Sequence, residues 1–152
     1  FRDCHALSGV DLPDGLTQIG DFTFAFCKSL SEIKLPDTVR QIGNSAFAFC
    51  ENLERVAIPD GVTEIGDFAF SFCKNLPEIR LPGSVTRIGE FAFQFCGSLS
   101  GAAFPDGLAS VGDWAFMNCT NLKRASVPAR TEIGMGAFDR PTALVRRGGG
   151  KE

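Results

Sequence analysis

The sequence has no tyrosine, one tryptophan and one histidine, set against fifteen phenylalanines in 152 residues. The lone His5 sits beside Cys4 on a stretch too extended or turning to serve as its base, and without it no Ser-His-Asp set can be assembled. Neither sign of charge dominates. Fifteen Lys and Arg are interleaved with eighteen Asp and Glu for a net charge of −3, which leaves no basic footprint for a nucleic-acid backbone or an anionic membrane. No apolar run reaches the roughly 18 to 20 residues that cross a bilayer, and residues 1–10 lack the charged-then-apolar order of a signal peptide. The cysteines are never two to four residues apart, so the paired spacing of a zinc site is missing. These absences predict no enzyme, no metal, no cofactor, no nucleic-acid partner and no membrane span.

What is present is periodic. The hydrophobic fraction of 44% is enough for one domain with a core. Cys4, Cys27, Cys50, Cys73, Cys96 and Cys119 are each 23 residues apart, and a fixed period of this length is the signature of stacked structural repeats. Five complete units without linkers fill 12–34, 35–57, 58–80, 81–103 and 104–126. Slot 2 is always Pro (Pro13 to Pro105) and slot 9 always Gly (Gly20 to Gly112). Slot 8 is Ile19, Ile42, Ile65, Ile88 and Val111, and slot 13 is Phe24, Phe47, Phe70, Phe93 and Phe116. Slot 16 is the cysteine, and slot 19 is Leu30, Leu53, Leu76, Leu99 and Leu122. Slots 2, 8 and 9 form a rigid frame, and slots 13, 16 and 19 are the predicted core.

Within a unit, the run from slot 19 to slot 1, such as Leu53-Glu54-Arg55-Val56-Ala57-Ile58, alternates at its end and predicts a short strand that the proline stops. Pro59-Asp60-Gly61 and its equivalents have turn chemistry. A second short extended piece, such as Val62-Thr63-Glu64-Ile65, follows. Asp21, Asn44, Asp67 and Asp113 then suit the cap of one helical turn through the cysteine. One coil cannot bury its own apolar side, so the units must stack, with equivalent strands about 4.8 Å apart in a parallel sheet.

The arrangement Cys-x-Asn-Leu, seen as Cys50-Glu51-Asn52-Leu53 and Cys73-Lys74-Asn75-Leu76, runs on to Leu-Pro, then Val-Thr-x-Ile-Gly and Ala-Phe-x-x-Cys. In this it resembles the BspA-like leucine-rich repeat over residues 1 to about 144. The resemblance implies a repeat solenoid: a right-handed leucine-rich-repeat coil with short parallel strands on its concave side and short strand or one-turn helix segments on its convex side. It also implies binding or adhesion in place of a shared reaction, in surface and secreted proteins of bacteria and in expanded families of protists. Six unpaired thiols suit an intracellular complex equally.

Residues 1–11 read as a partial repeat, since Phe1 falls in slot 13 and Cys4 in slot 16, and further residues with a polar cap are expected before Phe1. Residues 127–144 read as a degenerate capping repeat with Pro141 in the cysteine slot, and 145–152 as a flexible tail.

The cysteine column predicts buried, inert thiols, and paired carboxylates such as Glu64 and Asp67 read as turn and cap residues. The acidic rows Asp14/Asp37/Asp60/Asp106 and Asp21/Asp67/Glu90/Asp113 read the same way in preference to calcium ligands. Two surfaces remain as binding candidates. The strand face carries Glu32, Arg55, Glu78 and Arg124, with Lys34 and Arg80 beside them; its signs alternate, so either a self-paired ladder or a partner-binding face follows. Slots 11 and 15 carry Phe22 and Phe26, Phe49, Phe68 and Phe72, Phe91 and Phe95, and Trp114. Slot 15 is commonly small or polar in the repeats this sequence resembles, so its phenylalanines either thicken the core by stacking or form an exposed apolar ridge. The leading expectation is a non-catalytic interaction module offering its strand face to a protein or glycan. The alternative is a scaffold or accessory subunit docked into a larger complex through the ridge.

Overall fold

A computed structural model describes residues 1–148. The expected tail therefore falls partly on Gly149, Gly150, Lys151 and Glu152, which lie outside the described residues.

Each coil contributes two short strands, in the order β1 (Gln18–Ile19), β2 (Glu32–Lys34), β3 (Gln41–Ile42), β4 (Arg55–Ala57), β5 (Glu64–Ile65), β6 (Glu78–Arg80), β7 (Arg87–Ile88), β8 (Gly101–Ala103), β9 (Ser110–Val111), β10 (Arg124–Pro128), β11 (Glu132–Ile133) and β12 (Ala143–Arg147). All pairs are parallel. The odd-numbered strands to β11 form one six-stranded sheet, whose register Ile19↔Ile42, Ile42↔Ile65 and Ile65↔Ile88 carries the slot-8 residues up the stack. The longer strands expected to make the main sheet pair only two by two, β2 with β4, β6 with β8 and β10 with β12. One break has a covalent cause. On this face the slot-20 residue donates backward, as Glu54 N–H does to Ser31 O (2.8 Å) and Ser100 N–H to Pro77 O (2.9 Å). The equivalent residue facing β4 is Pro77, which has no N–H to give.

The predicted core is the observed one. Slots 13, 16 and 19 of the five complete units are buried, joined by the slot-8 Ile and Val residues of the frame, by slot-5 Val39, Val62 and Val85 and by alanines such as Ala46 and Ala69. Rings from Phe1 through Phe24, Phe47, Phe70, Phe93, Phe116 and Phe138 stack in one column with centroids 5.0–5.4 Å apart. The slot-9 glycines are set by proximity: a Cβ on Gly66 would stand 2.6 Å from the carbonyl carbon of Gly43 below it.

The one-turn helix is a misreading, because no helix occurs among the described residues. Slots 9 to 19 run instead through successive turns, as in Ala25 N–H to Phe22 O and Cys27 N–H to Phe24 O (both 3.1 Å). The N–H groups of slots 11, 13 and 15 are then free to reach the next coil, as from Phe22 to Asn44 O (2.9 Å), Phe24 to Ala46 O and Phe26 to Ala48 O (both 2.8 Å). A helical turn would direct those groups along its own axis; the turns make them a ladder between coils. The slot-10 side chains do not cap their own coil either. Asp21 Oδ1 accepts the N–H of Asn44 (2.8 Å), Asn44 Oδ1 that of Asp67 and Asp67 Oδ1 that of Glu90 (both 2.9 Å).

At the C-terminal end, β12 lies in register with β10 from Arg124↔Ala143 to Pro128↔Arg147. The expected tail therefore begins as strand through Arg147. Arg147 reaches back to Phe104 O (2.8 Å) and to the Asp106 carboxylate (3.0 Å), which holds it on the stack.

Candidate functional site

The charged candidates project from the long-strand face. Glu32, Lys34, Arg55, Glu78, Arg80 and Arg124 are all exposed, each flanking a strand residue that points inward, such as Ile33 and Ile79. Glu32 and Arg55 are register partners on β2 and β4, yet among the described residues no ion pair joins them. The nearest approach of opposite charges among the six is within one strand, Arg80 to Glu78 at 3.9 Å, with both side chains largely in water, where such a contact is worth little. The self-paired ladder does not form. Pairing occurs on other faces: Glu51 sits between Lys28 (3.9 Å) and Lys74 (3.3 Å), and Arg87 binds the Glu64 carboxylate while lying 3.8 Å from Asp67. That pairing occupies Glu64 and Asp67 structurally.

The same face is indented. An open hollow of about 520 Å³ crosses Arg55, Pro77, Glu78 and Ser100. Others of about 370 Å³ and 350 Å³ lie between Glu32, Lys34 and Arg55 and between Arg55, Glu78 and Arg80. Charged side chains stand at their edges, and apolar groups such as Pro77, Ile33 and Ala57 contribute to their floors.

The aromatic candidates form two columns on the turn segments. Phe26, Phe49, Phe72 and Phe95 stack with centroids 4.6, 4.4 and 4.5 Å apart, and Phe68, Phe91 and Trp114 with 4.8 and 5.2 Å. Phe22, separated from Phe68 by the small Ser45, has the Arg2 guanidinium 5.1 Å from its ring centroid. Stacking and exposure coexist. The slot-15 rings are half-buried, while Phe22 and Phe68 remain 43% and 40% exposed.

The backbone beneath these rings is a feature that sequence reading missed. Every residue of slots 11 and 15 has positive φ, from 51° at Trp114 to 62° at Phe26, and Asp3, the slot-15 residue of the partial repeat, is also at 62°. This is the third position of a type II turn, which Gly or Asn occupies at low cost. A bulky side chain there loses roughly 1–2 kcal/mol. Offset aromatic stacking returns about 0.5–1.5 kcal/mol per pair, so the column approximately offsets its own strain. The available signal was in the slot itself: its first and last occupants, Asp3 and Asn118, are residue types that tolerate a left-handed backbone.

The cysteines are free, and all but the half-buried Cys4 are enclosed. Each buried thiol donates to the slot-13 carbonyl of the preceding coil: Cys50 to Phe24 O (3.1 Å), Cys73 to Phe47 O (3.2 Å), Cys96 to Phe70 O and Cys119 to Phe93 O (both 3.1 Å). Burial pushes the Cys50 thiol up to about 12 and those of Cys73 and Cys96 well above the ordinary 9.0. Neutral thiols are poor nucleophiles and poor metal ligands, so the column is structural. His5 is exposed in the partial repeat. Among the described residues no three His, Cys, Asp or Glu side chains cluster closely enough to hold a metal ion, and no helix is long and apolar enough to cross a membrane.

Stacked parallel coils with a leucine, cysteine and phenylalanine frame define a leucine-rich-repeat solenoid. The chain belongs to the BspA type leucine-rich repeat family, whose profile matches in six copies over residues 1–123 and 41–145. Among solved structures it is similar to the leucine-rich repeat protein of T. pallidum, with 32% identity and a TM-score of 0.74 over 93% of this chain and 73% of that one. It is also similar to a leucine-rich repeat protein from Bacteroides ovatus (26% identity, TM-score 0.67, 95% of this chain and 49% of that one). A leucine-rich cell surface protein from Faecalibacterium prausnitzii matches at 28% identity and a TM-score of 0.61, over 90% of this chain and 45% of that one. The chain thus spans about half the length of the Bacteroides and Faecalibacterium proteins. No curated protein matches it.

Proposed function

We propose that the chain is a non-catalytic interaction module that takes a protein or glycan partner on the long-strand face, around Arg55, Glu78 and Arg80. The observation that carries this reading is that charges of opposite sign lie in register on neighbouring strands, Glu32 beside Arg55, and are exposed without pairing to each other. Exposed charge of this kind steers association and selects among partners. The hollows between these side chains provide relief for a protruding group of the partner. The test is capture from extract of the native cells with the full chain and with the Arg55→Glu/Arg80→Glu variant. Loss of the captured partner with thermal stability unchanged supports the reading; an unchanged set of partners from the variant overturns it.

A second reading, a scaffold subunit docked through the aromatic ridge, draws on a different observation: four partly buried phenylalanines occupy positive-φ positions where a small polar residue would relieve the backbone. Strain retained at a surface points to a role for that surface.

A further inference from the structure

We infer that the aromatic ridge is the contact between two copies of this chain, arranged side by side with their solenoid axes parallel about a two-fold axis. The inference rests on the ridge being a contact surface, and it names what covers it.

In the slot-15 column, ring faces are covered by neighbouring rings, so what the column presents outward is a row of ring edges at 4.4–4.6 Å intervals. A surface with so short a period is matched along its length by another stack of coils with the same period. A second copy supplies that, and two-fold contacts between identical chains are the commonest kind.

The flanks of the ridge choose the orientation. On one side runs slot 10, with Asp21, Asn44 and Asp67 in the first three complete coils; on the other runs slot 17, with Lys28, Glu51 and Lys74. With parallel axes, slot 10 of each copy meets slot 17 of the other at the same level. Asp21 then faces Lys28 of the second copy and Asp67 faces Lys74, so each exposed lysine is shared between the Glu51 of its own chain (3.9 and 3.3 Å) and the acid opposite. The one coil with an acid in slot 17, Glu51, has the uncharged Asn44 in slot 10. With antiparallel axes, slot 10 meets slot 10, so Asp67 faces Asp67 and Asp21 faces Asp113, which like-charge repulsion disfavours.

Side-chain size follows the same rule. The parallel arrangement sets slot 11 of one copy against slot 15 of the other. The gap in the slot-11 column at Ser45 then receives Phe49, and the large Trp114 lies against the small Asn118. Hydrophobic surface that monomers rarely leave open is covered in both copies at once.

The test is light scattering with size-exclusion chromatography of the full chain at concentrations on the order of 10–100 µM, repeated with two variants. Phe49→Asn/Phe72→Asn removes ridge surface while installing the residue that slot 15 carries at Asn118, so the turn is relieved; it is expected to weaken dimerisation by about 100-fold or more. Lys28→Glu/Lys74→Glu leaves the ridge rings in place, removes the intrachain pairs of both lysines with Glu51, so its thermal midpoint is measured alongside, and is expected to weaken a parallel dimer by about tenfold. In an antiparallel dimer Lys74 would face Lys74, and reversal would not weaken it. A wild-type dimer lost in the first variant and weakened in the second supports the inference. A monomeric wild type, a dimer untouched by the asparagines, or one untouched by the charge reversal overturns it. Monomeric protein that still captures other partners through the ridge would overturn self-association alone and leave the docking role standing.

Discussion

Two columns of phenylalanine, two residues apart in each of the first four complete coils, show the same side chain put to different uses. In slot 13 the backbone avoids the left-handed region, and Phe24, Phe47, Phe70 and Phe93 are fully enclosed at the centre of the stack. In slot 15 the backbone is left-handed, and Phe26, Phe49, Phe72 and Phe95 are only partly buried. Both columns stack ring on ring. The first gains from burial as well as stacking, whereas the second uses its stacking to offset the strain of its own turn. A ring's contribution is therefore set by its φ and its burial together, and the fold should depend on the first column more than on the second.

The sharpest separation of the two columns is truncation at neighbouring sites. Phe70→Ala should destabilise by about 3–5 kcal/mol through the cavity it opens, read as a fall in the denaturant midpoint. A midpoint near wild type would mean that the stack closes over the missing ring and that slot 13 is no more essential than slot 15.

Alkaline pH probes the inner column through the thiols that donate to its carbonyls. Burial raises the folded-state values of Cys27, Cys50, Cys73 and Cys96 above 9.0. Above pH 9.0 the unfolded chain therefore releases thiol protons that the folded chain retains. Stability is full below that value and falls as pH rises from 9.0 toward about 12, where the folded-state Cys50 thiol itself ionises, by at most about 1.4 kcal/mol per unit for each thiol. A thermal midpoint flat from pH 8 to 10.5 would place the thiols in contact with water.

Two smaller effects probe the outer column. Asn118→Phe extends it by one ring but installs a bulky residue at φ 58°; the strain of roughly 1–2 kcal/mol and the single new stack nearly cancel, leaving a loss of about 1 kcal/mol or less. Phe72→Asn trades two stacks for a relaxed turn and should stay within about 1 kcal/mol of wild type. A loss as large as that of Phe70→Ala would erase the distinction between the columns.

Much of the fold was legible because it follows from the period. A residue type repeated in every coil, such as the slot-9 Gly or slot-16 Cys, must meet its own copy above and below, so its environment can be read from the spacing. The one-turn helix was misread because Asp21 and Asn44 look the same whether they cap their own coil or accept from the next one; the choice depends on where slots 11 and 15 point, and phenylalanine is a poor reporter of a left-handed backbone. Which strand face is continuous was also hidden, since the two-residue strands carry weaker patterning than the three-residue ones that Pro77 interrupts. Of the candidate site, the identity and exposure of Glu32, Arg55, Glu78 and Arg80 were readable, while their failure to pair depended on side-chain geometry.

The interrupted pairing of the long strands bears on how the solenoid can deform. The six-stranded sheet and the turn ladder tie every coil to the next, but on the remaining side β4 is not tied to β6, nor β8 to β10. The stack is thus bound like a book, with stitched edges and a fore-edge that can fan. Bending concentrates at the second and fourth junctions, and it opens the side bearing Arg55, Glu78 and Arg80. That side can change its curvature to fit what it meets without breaking a backbone hydrogen bond.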